Sequence, residues 1–188
     1  MQAVSIAGRE IGPHRPPYIV AEISGNHGGY IPVAFKMILA AKAAGADAVK
    51  LQTYTPAELT TPEHKELWAL YERAQTPRRW HRDLFDCAKQ VGITIFSSAF
   101  SADGVKFLAD LGAPAIKIAS AEIHDEELLN AAADTGLPII GSLGMATHDD
   151  FMSLDFDVFL HCVAQYPSRI EDANLRVIGR IANDYDNV

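Results

Sequence analysis

Six short runs of β-branched and apolar residues recur along the chain, and stretches with helical spacing of apolar residues separate them. The runs fall at 18–24 (YIVAEIS), 48–53 (AVKLQT), 94–98 (TIFSS), 115–120 (AIKIAS), 138–144 (PIIGSLG) and 158–163 (VFLHCV). Each is apolar through its first half, as strands buried on both faces are. Strand followed by helix, repeated, means parallel strands joined by right-handed crossovers. One helix is expected over 31–48, with Gly45 near its end, and a short one over 63–73. Another opens at Thr76 as N-cap with Pro77 in the first turn, and ends near Val91 and Gly92. Further helices are expected to start near Ser101, Asp125 and Thr147, and Ser168 to Glu171 has capping-box spacing for a last one.

Two architectures satisfy this alternation, a (β/α)8 barrel and an open doubly wound sheet. The GNHGG that follows the first strand matches neither GxGxxG nor a P-loop, which argues against the nucleotide-binding sheet. The opening AVSIAGREIGPHRPP reads as a β-hairpin turning near Gly8 and capping one end of the domain. No low-complexity segment divides the chain, so residues 1–188 are expected to form a single domain. The fold class is therefore α/β, a TIM-type barrel that is incomplete: about six β/α units, where closure needs eight. The connection 144–157 is short for a full crossover, and the chain ends in a helical pattern without a seventh strand.

Composition narrows the partners. With 48% hydrophobic and 21% charged residues the chain has the balance of a packed domain, not of a disordered one. Its 16 Lys+Arg against 24 Asp+Glu leave a net charge of −8, which argues against nucleic acid and anionic membranes as partners. No run approaches the roughly 20 apolar residues of a membrane span, and the N-terminus lacks a signal-peptide pattern. Cys87 and Cys162 form neither a disulfide framework nor a metal-ligand spacing, so a reducing cytoplasm is expected.

Polar residues interrupt the strands toward their C-terminal ends: Glu22, Lys50 and Gln52, Ser97 and Ser98, Lys117 and Ser120, Ser142, and His161. That end carries the active site in parallel α/β folds. Lys50 and Gln52 are two apart and share one face of a strand. A buried ammonium without a counter-charge is costly, and two at one rim call for an anion. One reading is a phosphate or carboxylate held by Lys50 and Lys117 with serine hydroxyls beside it. The other has each lysine snorkelling from its strand end or pairing structurally with Glu22 or Glu122. The pattern specifies an anionic small molecule, not a reaction.

Other residues point less sharply. His27 either serves as acid or base or organises its loop. His64, His81 and His124 fall on helices or helix starts and are expected to be solvated. Asp149 and Asp150 suit a first helical turn better than a metal. Trp68, Tyr71 and Trp80 read as packing, Cys87 as a small buried hydrophobe, and Met145 as rim or packing. Cys162 follows His161 without the third partner of a nucleophilic triad.

The segments AEISGNHGG, AAKAAGADAVKLQTYTPAELT, TIFSSAFSADGVKFL, PAIKIASAEI, PIIGSLGMAT and FLHCVAQYPSRIEDANL, in this order, closely resemble the catalytic barrel of the sialic acid synthase family. The resemblance runs from about residue 6 to 175, and KLQTYTP with LYERAQTPRRWH looks most like the pseudaminic acid synthase branch. It implies that C3 of phosphoenolpyruvate attacks the aldehyde of an open-chain N-acyl hexosamine while water attacks C2 and phosphate leaves. It implies further that Lys50, Lys117, Ser120 and Ser142 hold phosphoenolpyruvate, that Gln52, Glu122 and Tyr166 line the sugar side, and that Glu22 positions water or relays a proton.

The family's divalent metal, Mn²⁺ or Mg²⁺, is held by two histidines in and after a seventh strand, and no residue of this chain is assigned to it. The family's antifreeze-like C-terminal domain is likewise expected to be absent, the helix between the fifth and sixth strands to be deleted, and His161 not to substitute as a ligand. Two other readings stand beside the synthase: a non-catalytic relic or fragment that binds an anion or a partner, and another phosphate-handling barrel lyase or aldolase. In the last, Lys117 forms a Schiff base provided that burial lowers its pKa. Two unpaired strand edges predict a homo-oligomer, in preference to the segment 175–188 folding back over the gap.

Overall fold

The structure, a computed structural model, describes residues 3–12 and 14–184. Strands β1 (Val4–Ile6) and β2 (Arg9–Ile11) pair antiparallel. Ala7 and Gly8 between them both take positive φ, as a tight two-residue hairpin turn requires. Six parallel strands follow: β3 (Val20–Glu22), β4 (Ala48–Thr53), β5 (Thr94–Ala99), β6 (Ile116–Ile118), β7 (Ile139–Ser142) and β8 (Val158–Leu160). Their order in the sheet is their order in the chain, leaving β3 and β8 as the edges.

The helices are α1 (Ile31–Ala43), α2 (Pro56–Leu59), α3 (Lys65–Ala74), α4 (Arg78–Val91), α5 (Ala102–Asp110), α6 (Glu126–Asp134), α7 (His148–Ser153) and α8 (Arg176–Asp184). Ser101, Asp125 and Thr147 each cap the helix that follows, accepting from the backbone N–H of Gly104, Leu128 and Asp150. Gly92 ends α4 in the left-handed conformation. Other expectations are corrected. Pro77, not Thr76, is the N-cap of α4, because the Thr76 side chain turns inward to His27. Ser168 donates to the Gln165 carbonyl instead of capping α8, and a 3-10 turn (Ile170–Asp172) intervenes. The crossover between β7 and β8 keeps a helix, the six-residue α7, so it is shortened and not deleted. His161 and Cys162 lie beyond β8, which has ended at Leu160.

Alternation along the strands separates two environments. Outward residues such as Val49, Leu51, Ile116, Ile118 and Phe159 pack under the helices in two apolar clusters. Inward residues Ala48, Phe96, Ala115 and Ile140 form a third cluster with Val4 and Ile6 of the hairpin, which plugs the N-terminal end. One cavity of about 360 Å³ is lined from all six strands, including Val20 and Glu22 on β3 and Val158 and Leu160 on β8. The sheet is therefore curled as an incomplete TIM barrel. Helix α8 packs Val177 and Ile181 against the outer cluster beside Phe151, Phe156 and Phe159. It does not cover the inner face, where Val20 and Leu160 stay exposed.

Candidate functional site

Strand register brings the polar positions together. Glu22 lies level with Lys50, Gln52 with Ser98, Ser98 with Lys117, and Lys117 with Ile140, one residue pair below Ser142. Because these residues share the inward parity, their side chains meet inside the curl. The Lys50 ammonium pairs with Glu22 at 2.6 Å and donates to Ser98 Oγ at 3.1 Å. The Lys117 ammonium donates to Ser142 Oγ at 2.6 Å and to the Ile118 carbonyl. Both lysines therefore face inward at the C-terminal end of the sheet, and the pairing of Lys50 with Glu22 foreseen as the structural alternative is also made.

Lys117 is only 5% exposed. Burial, and after it the nearby Lys50 charge, push its pKa down to about 8. Cys162, Glu22 and Glu122 act in the opposite sense. Glu122 stands on the 3-10 turn (Ser120–Glu122) after β6, and burial raises its pKa while Lys117 opposes the rise. Its Oε2 is buried without a hydrogen-bond partner.

Ser120 Oγ accepts from the Gly144 backbone N–H at 2.9 Å and lies 3.2 Å from Cys162 Sγ. Gly144 is required there, since a Cβ would stand 2.8 Å from that sulfur and 3.0 Å from the Cys162 carbonyl oxygen. Glu22, Lys50, Gln52, Lys117 and Ser142 thus converge from four strands, with Ser120 and Glu122 on the next turn. Tyr166 does not join them: its side chain is 99% exposed on the loop after β8. Ser98 and Cys162 belong to the neighbourhood too. Ser98 was legible from its inward parity, whereas Cys162 reaches Ser120 only through loop packing.

The histidines sort differently from expectation. His27 is buried and organises its loop, its Nδ1 accepting from Gly29 N–H while Nε2 meets Thr76 Oγ1 at 3.2 Å. Burial lowers its pKa. His81 is fully buried, not solvated. It lies on the same stripe of α4 as the buried Leu84 and Ala88, three and seven residues on. Its Nε2 meets Thr53 Oγ1 at 2.7 Å, and Thr53 Oγ1 in turn meets Ser97 Oγ at 2.7 Å. His64 and His124 are exposed as expected. The His161 imidazole bonds the Ala173 carbonyl at 2.7 Å and so is engaged away from the lysines. No group of three metal-ligating side chains occurs among the described residues. No helix among them is long and apolar enough to cross a membrane.

Residues 37–188 match the NeuB family. The chain is 44% identical over 183 residues to the pseudaminic acid synthase of Helicobacter pylori, covering 86% of this chain and 54% of that protein. It is 41% identical to the pseudaminic acid synthase of Campylobacter jejuni, covering 86% and 53%. A crystal structure of N-acetylneuraminic acid synthetase from Leptospira borgpetersenii superposes with a TM-score of 0.93 at 32% identity, covering 99% of this chain and 68% of that one. The chain spans about half the length of the curated relatives it matches.

Proposed function

The chain belongs to the NeuB family, and from that premise we propose that it carries the phosphoenolpyruvate-binding part of a nonulosonic acid synthase. The reaction is condensation of C3 of phosphoenolpyruvate with the aldehyde of an open-chain N-acyl hexosamine, with release of phosphate. The likeness to pseudaminic acid synthases favours a sugar of the pseudaminic type.

One observation carries the reading: two lysines converge inside the curl, one almost wholly buried, each beside a serine hydroxyl. Phosphoenolpyruvate presents a carboxylate and a phosphate, the two charges that justify two ammonium groups at one rim. In this reading Lys50 and Lys117 bind it with Ser120 and Ser142, and Gln52 and Glu122 face the sugar. Glu22, close against Lys50, positions the water that attacks C2. An anion arriving beside Lys117 restores its full protonation, since it removes the penalty of a lone buried cation.

The family implies a divalent metal, and the residues present do not fit one. Glu22 is engaged by Lys50, Glu122 belongs to no group of three metal-ligating side chains among the described residues, and His161 is bonded elsewhere. No step is therefore assigned through a metal on these residues. The proposal places the chain in the cytoplasm as a homo-oligomer.

Calorimetry with phosphoenolpyruvate tests the reading. The folded chain should bind it, and Lys117→Ala should weaken binding by about 1.5–3 kcal/mol, the worth of a charged hydrogen bond. Absence of binding to the folded chain, or equal binding by the variant, would sink the proposal.

A further inference from the structure

Among the described residues, Lys117 is the one amine at the cavity that is both almost fully buried and open to its interior. Its nitrogen is fixed by the Ile118 carbonyl and by Ser142 Oγ, a hydroxyl able to pass a proton. The charged or titratable groups acting on it are Lys50 from β4, Glu22 from β3, Glu122 from the turn after β6 and Cys162 from the segment after β8. Burial and Lys50 outweigh the other three and bring the ammonium to a pKa of about 8. Near pH 7.5 the free amine is then on the order of a hundredfold more abundant than on a solvated lysine.

We propose that Lys117 is an imine-forming amine, at which a small 2-oxo acid such as pyruvate condenses reversibly through its C2 carbonyl. The second cation at the rim, Lys50, selects for the carboxylate over a neutral aldehyde. The Nζ lone pair attacks C2 and a C–N bond forms. The carbonyl oxygen takes up both hydrogens of the neutral amine, one by way of the Ser142 hydroxyl, and leaves as water. A neutral C=N bond remains. The inference goes beyond the condensation reading, because it requires no sugar, metal or phosphoryl group. Phosphoenolpyruvate has no C2 carbonyl to condense, so the two proposals fail independently.

Reductive trapping is the test. The full chain is incubated with pyruvate and cyanoborohydride; solvent protonates the imine nitrogen, hydride then adds to C2, and the modified lysines are mapped by peptide mass spectrometry. Near pH 7.5, Lys117 should be labelled at least about tenfold faster than the exposed Lys36, Lys65 and Lys106. Ser142→Ala, which leaves the amine in place, should slow labelling at Lys117 alone. Labelling of Lys117 no faster than the three surface lysines, or none at Lys117, overturns the proposal.

Discussion

Lowering the pH should unfold this protein partly through His81. The imidazole is wholly buried between α4 and the sheet, and burial brings its pKa from 6.5 to about 4. The unfolded chain therefore binds a proton that the folded chain refuses between those values, and stability falls as pH drops through that window. At pH 4 the loss from this group is about 3 kcal/mol, and at pH 5 about 2 kcal/mol. His27, also depressed by burial, adds a loss of the same sign. Urea unfolding of wild type and His81→Leu across pH 7 to 4 isolates the term. At pH 7 the variant should be less stable by about 1–2 kcal/mol, having lost its bonds to Thr53 and the Pro77 carbonyl. Thr53 keeps Ser97 as a partner, so no hydroxyl is orphaned. Near pH 5 the two curves should meet, and below it the variant should be the more stable. A constant difference across the range would show that His81 titrates alike folded and unfolded, and would refute the argument from burial.

Three further outcomes are expected. Lys117→Met should raise stability at pH 7, read as an increase in Tm, while weakening phosphoenolpyruvate binding as Lys117→Ala does; a lower Tm contradicts the sense of the pKa shift. Gly141→Ala places a Cβ 1.9 Å from Cδ2 of the buried Phe156 and should cost about 3 kcal/mol, largely recovered by adding Phe156→Leu. Sedimentation across a concentration series should show self-association through the open edge of β3 or β8, and a monomer persisting at high concentration removes the homo-oligomer.

The parallel sheet was legible from the alternation of strand and helix, and the inward placement of the two lysines from parity. In β4, Val49 and Leu51 face the helices while Lys50 and Gln52 lie on the inner side of the curl, a pattern visible in AVKLQT. The edge strands were less legible: β3 and β8 each have three residues, well short of the runs at 18–24 and 158–163. His81 follows the helical spacing of Leu84 and Ala88, so periodicity points to its burial even though residue type suggests solvent. The Ser120, Gly144 and Cys162 contact joins loops after three different strands, and no local pattern encodes it. The same holds for Asp47 and Asp157, each placed just before a strand and each accepting a backbone N–H at 2.7 Å, from Ile19 and Ile139 respectively. Those bonds set the register of neighbouring strand starts, and with it the level at which the lysines meet.

Register also explains why the site opposes the fold. Bringing Lys117 level with Ser98, and within the field of Lys50, takes an ammonium out of water and sets it near a like charge. Lowering its pKa from 10.5 to about 8 means that at pH 7 the folded state carries about 3 kcal/mol of unfavourable ionisation energy. The hydrogen bonds to Ser142 and Ile118 are already made in the folded state whose pKa is lowered, so they do not remove it. Glu22 and Glu122 oppose the shift without cancelling it, Glu22 being spent on Lys50 and Glu122 being held toward its neutral form by its own burial. The carboxylate lining the cavity, Glu22, is already paired with Lys50. A dianion there stabilises both ammonium groups at once, so part of its binding energy is relief of the unfavourable ionisation of Lys117. Nothing in the packing of Ile116 and Ile118 on the other face of β6 demands a lysine between them. A residue that a fold tolerates at a loss, at the end of a strand where parallel sheets hold ligands, is what the proposed anion site requires.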